Sequence, residues 1–360
     1  MSNFLFCESS PNLGGQELQI LLQMQALTQA GHRVLLACKA SSRIAAEAER
    51  NRLPWQAVGF RNSLHFPSIA ALRSLMHRHA IDIALCHSGH DANNLAMAAR
   101  LASRRPRLIR ARTYQPGLPK AISYNRLVDR TLVPSEYLRT RILANPAIRP
   151  ERVAVLRPLL DLAAIHRQAE QALPSELAEV LADAGPVIVQ AAMLRPEKGH
   201  RVVLAALPAL CRQYPRLKLV LAGAGPEERV LREQVAALGL DGHVHFAGLL
   251  VPVYPLLARA DLVIMPSLEE PLGLSQLEAL ALGVPVAVSN TGGLPETVTA
   301  NETGWLIAAG EVDAWRDGLA DALADPARGK AYAARGRRFV EEHYSASAHI
   351  EALMAQIALA

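Results

Sequence analysis

The chain has 360 residues, is 51% hydrophobic and only 4% aromatic, and carries a formal net charge of +5. That length suits two domains of ordinary size, each with a core packed from aliphatic side chains. Cys7, Cys38, Cys86 and Cys211 sit in apolar contexts without metal-ligand spacing, and no leader or bilayer-length apolar run is present, so reduced core thiols are expected in a protein neither exported nor membrane-integral.

The charge is uneven. Residues 1–160 hold 22 Lys+Arg, 20 of them Arg, against 9 Asp+Glu, a net +13, while the remainder is −8. Such a half suits nucleic acid, anionic lipid or a phosphorylated acceptor. A genomic preference for Arg over Lys is the plain alternative, but it does not explain the one-sidedness.

Residues 4–7 read as a short apolar strand. A turn-forming loop leads to Gly14-Gly15 and an amphipathic helix that Gly31 ends, and 34–37 is the next strand. A double glycine ahead of a helix lets backbone approach a ligand closely, with helix N–H groups behind it, although most such pairs are only turns. Strand 56–58, helix 67–79 and buried strand 81–86 follow. The loop His87-Ser88-Gly89-His90-Asp91 comes next, then a helix over 92–102. A histidine just past the carboxyl end of a strand is well placed to touch ligand; otherwise it is simply hydrogen-bonded within its loop. Residues 107–111 form a strand, and Arg112-Thr113-Tyr114-Gln115-Pro116 an irregular loop. Ser135 caps a helix after strand 131–134, and 152–156 is the last strand of the first half.

Residues 162–184 are polar and Ala-rich, helical or loosely ordered. Buried strand 186–190 runs into Met193-Leu194-Arg195-Pro196-Glu197-Lys198-Gly199 and a helix from 201. Arg195 and Lys198, on the loop after a strand and beside a helix N-terminus, suit a diphosphate; the plain alternative is a solvated basic pair. Strand 217–221 ends in Ala222-Gly223-Ala224-Gly225-Pro226, a near miss to G-x-G-x-x-G whose proline and missing third glycine argue against NAD. Strand 243–246 closes at Gly248, and 253–258 is helical.

Residues 261–296 organise the rest. Apolar strand 262–265 breaks into an acidic loop. Gly273 opens a helix with Leu274, Leu277, Ala281 and Leu282 on one face, Gly283 ends it, and 285–288 is the next strand. Glu270 and Glu278 flank the helix start. Capping by Glu269 and Glu270, with Glu278 solvated, is one reading. The other is that each carboxylate accepts hydrogen bonds from vicinal hydroxyls while the helix N-terminus faces a phosphate. A sugar nucleotide would use all three features. Helices over 312–323 and 326–344 and a last one from Ser345 complete the chain.

Glu270-Pro-Leu-Gly-Leu-Ser-Gln-Leu-Glu278 resembles the E-x7-E signature of retaining GT-B glycosyltransferases. With Pro266-Ser267 before it and Gly292-Gly293-Leu294-Pro295-Glu296 after it, the stretch resembles glycosyltransferase family 4. The Gly14-Gly15-x-Glu17 opening, the Gly31-His32-x-Val34 strand and Arg195-x-x-Lys198-Gly199 are similar to the same family. The resemblance implies an α/β GT-B fold, with two Rossmann-like parallel-sheet domains facing each other across a cleft. The acceptor domain would span 1–162, with a C-terminal helix over 345–360 crossing back, and the donor domain 163–344. It implies that Glu270 contacts the donor sugar, Glu278 the ribose, and Arg195 and Lys198 the diphosphate. His87 would contact the donor sugar near the acceptor. Gly14, Gly15, Gly273, Leu274, Gly248 and Gly223 would complete the donor site, and Arg110, Arg112 and Tyr114 would stand on the acceptor side. The family often carries Thr-Arg-His near Tyr114 and a glycine turn before Asp161; this chain departs at both places.

The chain has no Asp-x-Asp. Metal-independent transfer without cofactor is therefore expected, with cations and helix N-termini taking the leaving charge. The resemblance implies retention, a nucleotide-sugar donor and a growing surface glycan or lipid-linked acceptor of lipopolysaccharide, O-antigen or capsule type. The reduced cysteines and missing leader point to a cytoplasmic protein, peripheral at the inner face of the plasma membrane if the basic half meets anionic lipid, and no nucleic-acid partner is expected. A GT-B sugar-nucleotide epimerase, an inverting transferase and a non-catalytic nucleotide-binding protein are the alternatives.

Overall fold

The computed structural model describes residues 1–115 and 117–360, so Pro116 of the loop after the fifth strand lies outside the described residues. The chain divides into two compact units, Met1–Leu160 with Tyr344–Ala360, and Asp161–His343.

The first unit alternates strand and helix: β1 (Asn3–Glu8), α1 (Gly15–Gln29), β2 (Arg33–Cys38), α2 (Arg43–Arg50), β3 (Trp55–Ala57), α3 (Phe66–Arg78), β4 (Ile83–Cys86), α4 (Gly89–Arg100), β5 (Arg107–Ala111), α5 (Ala121–Asn125), β6 (Arg130–Val133), α6 (Glu136–Leu143) and β7 (Val153–Val155). All seven strands are parallel, in the order β3-β2-β1-β4-β5-β6-β7. Both faces of the sheet are buried, and the two-residue side-chain period sorts its residues between them. Phe4 and Phe6 of β1 pack with Ile20 and Met24 of α1, while Leu5 and Cys7 pack with Leu72 of α3 and Leu95 of α4.

The second unit runs α7 (Leu162–Ala169), α8 (Ser175–Ala182), β8 (Val187–Ala191), α9 (His200–Gln213), β9 (Lys218–Ala222), α10 (Glu228–Ala237), β10 (Val244–Gly248), α11 (Tyr254–Leu257), β11 (Leu262–Met265), α12 (Ser275–Ala281), β12 (Val286–Ser289), β13 (Trp305–Ile307), α13 (Val312–Ala324) and α14 (Pro326–His343). Its parallel order is β10-β9-β8-β11-β12-β13. Ile188, Leu219 and Ile264 meet Leu204, Leu207 and Trp315 in one aliphatic core.

The last helix, α15 (Ala346–Ala358), belongs to the first unit. Ser345 caps it, Leu353 and Ile357 join the cluster of Phe4 and Phe6, and His349 Nδ1 lies 2.7 Å from the Arg157 carbonyl.

Three expectations change. The helix after β4 starts at Gly89 rather than 92, because the Ser88 hydroxyl accepts the Asp91 N–H at 3.0 Å; His90 and Asp91 are therefore helical. Glu269 and Glu270 lie outside the first turn of α12, which starts at Ser275, so capping does not explain them. Helices α2, α5 and α10 and strand β13 were not anticipated; α5 and β13 are too short to show a period.

Candidate functional site

In each sheet the chain order reverses once, between β1 and β4 in the first unit and between β8 and β11 in the second. Loops leaving the carboxyl ends of such strand pairs part and open a crevice, the usual ligand site of open α/β sheets. The chain places its conspicuous side chains there.

In the second unit the loop after β8 carries Arg195, Lys198 and Gly199, and the loop after β11 carries Ser267 and Glu270. Two tight contacts lock them together. The Leu268 N–H donates to the Glu197 carbonyl at 2.8 Å, and Gly199 approaches so closely that a Cβ there would stand 1.8 Å from the Pro266 carbonyl oxygen. Gly199 also has φ +68, a left-handed conformation that favours glycine. The result brings Lys198 Nζ to 2.6 Å from Glu270 Oε2, across 72 residues of sequence. The Lys198 side chain retains 20% of its surface and Glu270 9%, so this is a largely desolvated ion pair. Gln190 of β8 donates to the Lys198 carbonyl at 2.9 Å, and the Ser267 hydroxyl lies 3.4 Å from Glu270 Oε2. Behind Glu270, Gly292 leaves room for its carbonyl: a Cβ there would stand 2.0 Å from that oxygen, and the Gly293 N–H donates to it at 2.9 Å. Arg195 remains exposed, with Glu197 at 3.9 Å.

Glu278 is one turn into α12. Burial pushes its carboxyl up to about 7, against the Tyr254 hydroxyl, which donates to Oε1 at 3.4 Å. That same burial raises the Tyr254 phenol far above its usual value, with the Glu278 charge adding to it. Sequence reasoning did not single out Tyr254, and nothing in its local pattern marks it. His200 was also missed: it opens α9 directly after Gly199 and is buried, and burial lowers its imidazole to about 4, with the Lys198 charge adding to that.

The predicted glycines divide by role. Gly273 has φ +84 and turns the chain into α12 beside Leu274. Gly248 has φ +64 and ends β10, next to the exposed Leu249. A Cβ on Gly223 would stand 1.9 Å from the Ala192 carbonyl, so that glycine serves the packing of two loops.

In the first unit, Gly14 and Gly15 follow β1. The Gly14 N–H donates to Glu17 Oε2 at 2.7 Å and is not on offer to a ligand, whereas Gly15 has open space where a side chain would stand. His87 directly follows β4. It is 6% exposed, its Nδ1 has no partner among the described residues, and burial lowers its pKa to about 4, leaving a neutral imidazole. Glu8 ends β1 and is 1% exposed. Burial, then the charge of Asp91, pushes Glu8 up to about 7, although it accepts hydrogen bonds from the Ser10 N–H and Gln16.

Arg110 is the last residue but one of β5. It is 1% exposed, and its guanidinium lies over the Tyr124 ring at 4.2 Å. Arg112 donates to the Tyr114 carbonyl at 3.1 Å. Arg110 and Arg112 line one cavity, but Tyr114 is not among its lining residues; the aromatic ring there belongs to Tyr124. Tyr124 stands on α5, ten residues after Tyr114.

No group of three His, Cys, Asp or Glu side chains able to hold a metal ion occurs among the described residues. No described helix is long and apolar enough to cross a membrane.

Comparison with known proteins places these observations. Residues 13–164 match the model of Glycosyltransferase Family 4, and residues 177–339 that of Glycosyl transferases group 1. A GDP-mannose-dependent alpha-(1-6)-phosphatidylinositol monomannoside mannosyltransferase from Mycolicibacterium smegmatis is 36% identical over 44% of this chain and 44% of its own length. A D-inositol 3-phosphate glycosyltransferase from Jonesia denitrificans is 36% identical over 54% of this chain and 49% of its own. The chain thus spans about half the length, or less, of these curated relatives. A crystal structure of a Rickettsia africae glycosyltransferase superposes with TM-score 0.84 at 17% identity, over 99% of this chain and 98% of that one. The Anabaena protein HepE in complex with UDP gives 0.82 at 21% identity, over 99% of both chains. By the matches of its two halves to the two family models, and by its fold, the chain belongs to the GT-B glycosyltransferases of family 4.

Proposed function

We propose that the chain is a retaining glycosyltransferase that moves a sugar from a nucleotide-sugar donor to a growing surface glycan or lipid-linked acceptor. The observation that carries this reading is the Lys198–Glu270 pair at the reversal point of the second sheet, with Glu278 one turn into the helix that follows. A diphosphate leaving group develops negative charge as the sugar departs. Lys198 and Arg195 are preorganised positive ends for that charge, so no metal is required. Glu270, held by Lys198, orients the donor sugar and faces its oxocarbenium-like charge. The leaving phosphate takes the acceptor proton on the face it vacates, so retention needs no separate enzymic base. Glu278 accepts hydrogen bonds from the ribose hydroxyls.

The acceptor assignment draws on the basic first half of the chain and on relatives named as a phosphatidylinositol monomannoside mannosyltransferase and a D-inositol 3-phosphate glycosyltransferase. An acceptor in lipopolysaccharide, O-antigen or capsule assembly, met at the inner face of the plasma membrane, fits the same charge. The test is a thermal-shift screen against UDP, GDP, ADP and their sugars, since a ligand of the folded state raises the melting temperature. It is followed by NMR of the product's anomeric coupling. Nucleotide stabilisation and a product of the donor's own anomeric configuration are expected. An inverted product, or no stabilisation by any nucleotide, overturns the reading.

A further inference from the structure

We infer that the first unit holds a phosphate-binding subsite, and that the acceptor carries a phosphate group which Arg110, Arg112 and Lys120 bind. This rests on the reading of that unit as the acceptor side. A cavity of about 400 Å³ opens where β4 and β5 end. Arg110, Arg112, Lys120 and His90 line it with Tyr124 and Gln115, and among the described residues no carboxylate does.

Arg110 is the unusual member. Alternation along β5 turns it to the sheet face of Leu108, away from Ile109. The residue is 1% exposed and its guanidinium keeps its charge, because an arginine does not deprotonate in a protein. Nη2 donates to Thr131 Oγ1 at 3.0 Å, one face rests on Tyr124, and the buried Nε has no partner among the described residues. No carboxylate among the described residues acts on its charge. Its ionisable neighbours are Tyr124, Cys86 and Arg112, and Tyr124 is itself hydrogen-bonded to Gln115 Oε1 at 2.5 Å. A buried, unpaired cation is costly, and the cost is recovered when a ligand supplies the counter-charge.

The geometry points to phosphate. A planar guanidinium presents forked donors that match phosphate oxygens, and a second arginine and a lysine supply charge for a dianion. The first turn of α4, at Gly89 and His90, also lines the cavity and adds its positive dipole end. The phosphate could come from a soluble phosphorylated sugar or polyol, or from a lipid headgroup.

The test uses the full chain carrying Lys198→Ala, so that phosphate has no strong donor-side site. Inorganic phosphate and glycerol 3-phosphate are titrated by calorimetry, with and without the further changes Arg112→Ala and Lys120→Ala. Both of these side chains have solvent access, and the fold is checked by melting. Phosphate binding that falls at least tenfold on the double change, with acetate failing to compete, upholds the subsite. Binding that the change leaves intact, no phosphate binding at all, or equal competition by acetate overturns it. Nucleoside diphosphate affinity of the Arg112→Ala, Lys120→Ala chain with Lys198 restored is measured separately and should stay within twofold. Loss there tells against the donor reading and leaves the phosphate result to stand alone. Vesicles of phosphatidylglycerol that displace free phosphate identify a headgroup as the source. No displacement identifies a soluble phosphorylated acceptor.

Discussion

Glu270→Ala and Lys198→Ala should separate the two roles of one ion pair. With Nζ and Oε2 only 2.6 Å apart and both groups largely desolvated, removing either partner strands the other. Breaking a buried pair costs about 3–5 kcal/mol, and the fifth of the Lys198 surface left in water puts Glu270→Ala at about 3 kcal/mol. For a unit of this size that corresponds to a melting shift of about 6–12 °C. Binding should move in opposite directions. Without Glu270, Lys198 is free to face a diphosphate, so nucleoside diphosphate affinity holds or rises while turnover falls about 100-fold. Without Lys198, the diphosphate loses a cation and meets a stranded carboxylate, so affinity falls at least tenfold, about 1.4 kcal/mol. Calorimetry with the nucleotide found by thermal shift, alongside initial rates, reads both. Equal losses of affinity in the two variants would refute the assignment, because a pair that only braces the loops would weaken binding alike from either side.

Gly199→Ala should destabilise the second unit by about 3 kcal/mol or more, from a backbone clash and a left-handed φ together, whereas Gly15→Ala, with open space around it, should stay within about 0.5 kcal/mol; urea denaturation compares them. Glu8, raised from the ordinary 4.5 to about 7, holds its proton when folded over a range in which the unfolded chain has lost it. Its contribution to stability therefore drops as pH climbs from about 4.5 to 7, by about 3 kcal/mol. Glu8→Gln should gain on the parent chain at pH 8 relative to pH 5, and an unchanged difference between urea midpoints at the two pH values would contradict that. Transferase activity should survive EDTA; a full loss restored by magnesium would remove the metal-free mechanism.

Local pattern carried a large part of the molecule. Buried strands such as Leu262–Met265 announce themselves by apolar runs between breakers, and the chain's alternation of strand and helix already implies parallel sheets. Glu270, Glu278, Arg195 and Lys198 were legible because their spacing resembles a known signature. Tyr254 was not, because its partner Glu278 is 24 residues away and on another helix. Nor was the choice of Tyr124 over Tyr114, since both lie near Arg112 in the sequence.

What the sequence by itself determined is which segments form strands and helices, since that depends on side-chain period and on turn residues a few positions apart. Only the tertiary structure decided which loops meet. The order β9-β8-β11-β12 sets the end of β8 beside the end of β11, and so Lys198 reaches Glu270. The same packing buried Arg110 with no carboxylate counter-ion among the described residues. Strand order and desolvation are properties of the whole packed sheet, and no local stretch of residues encodes either one.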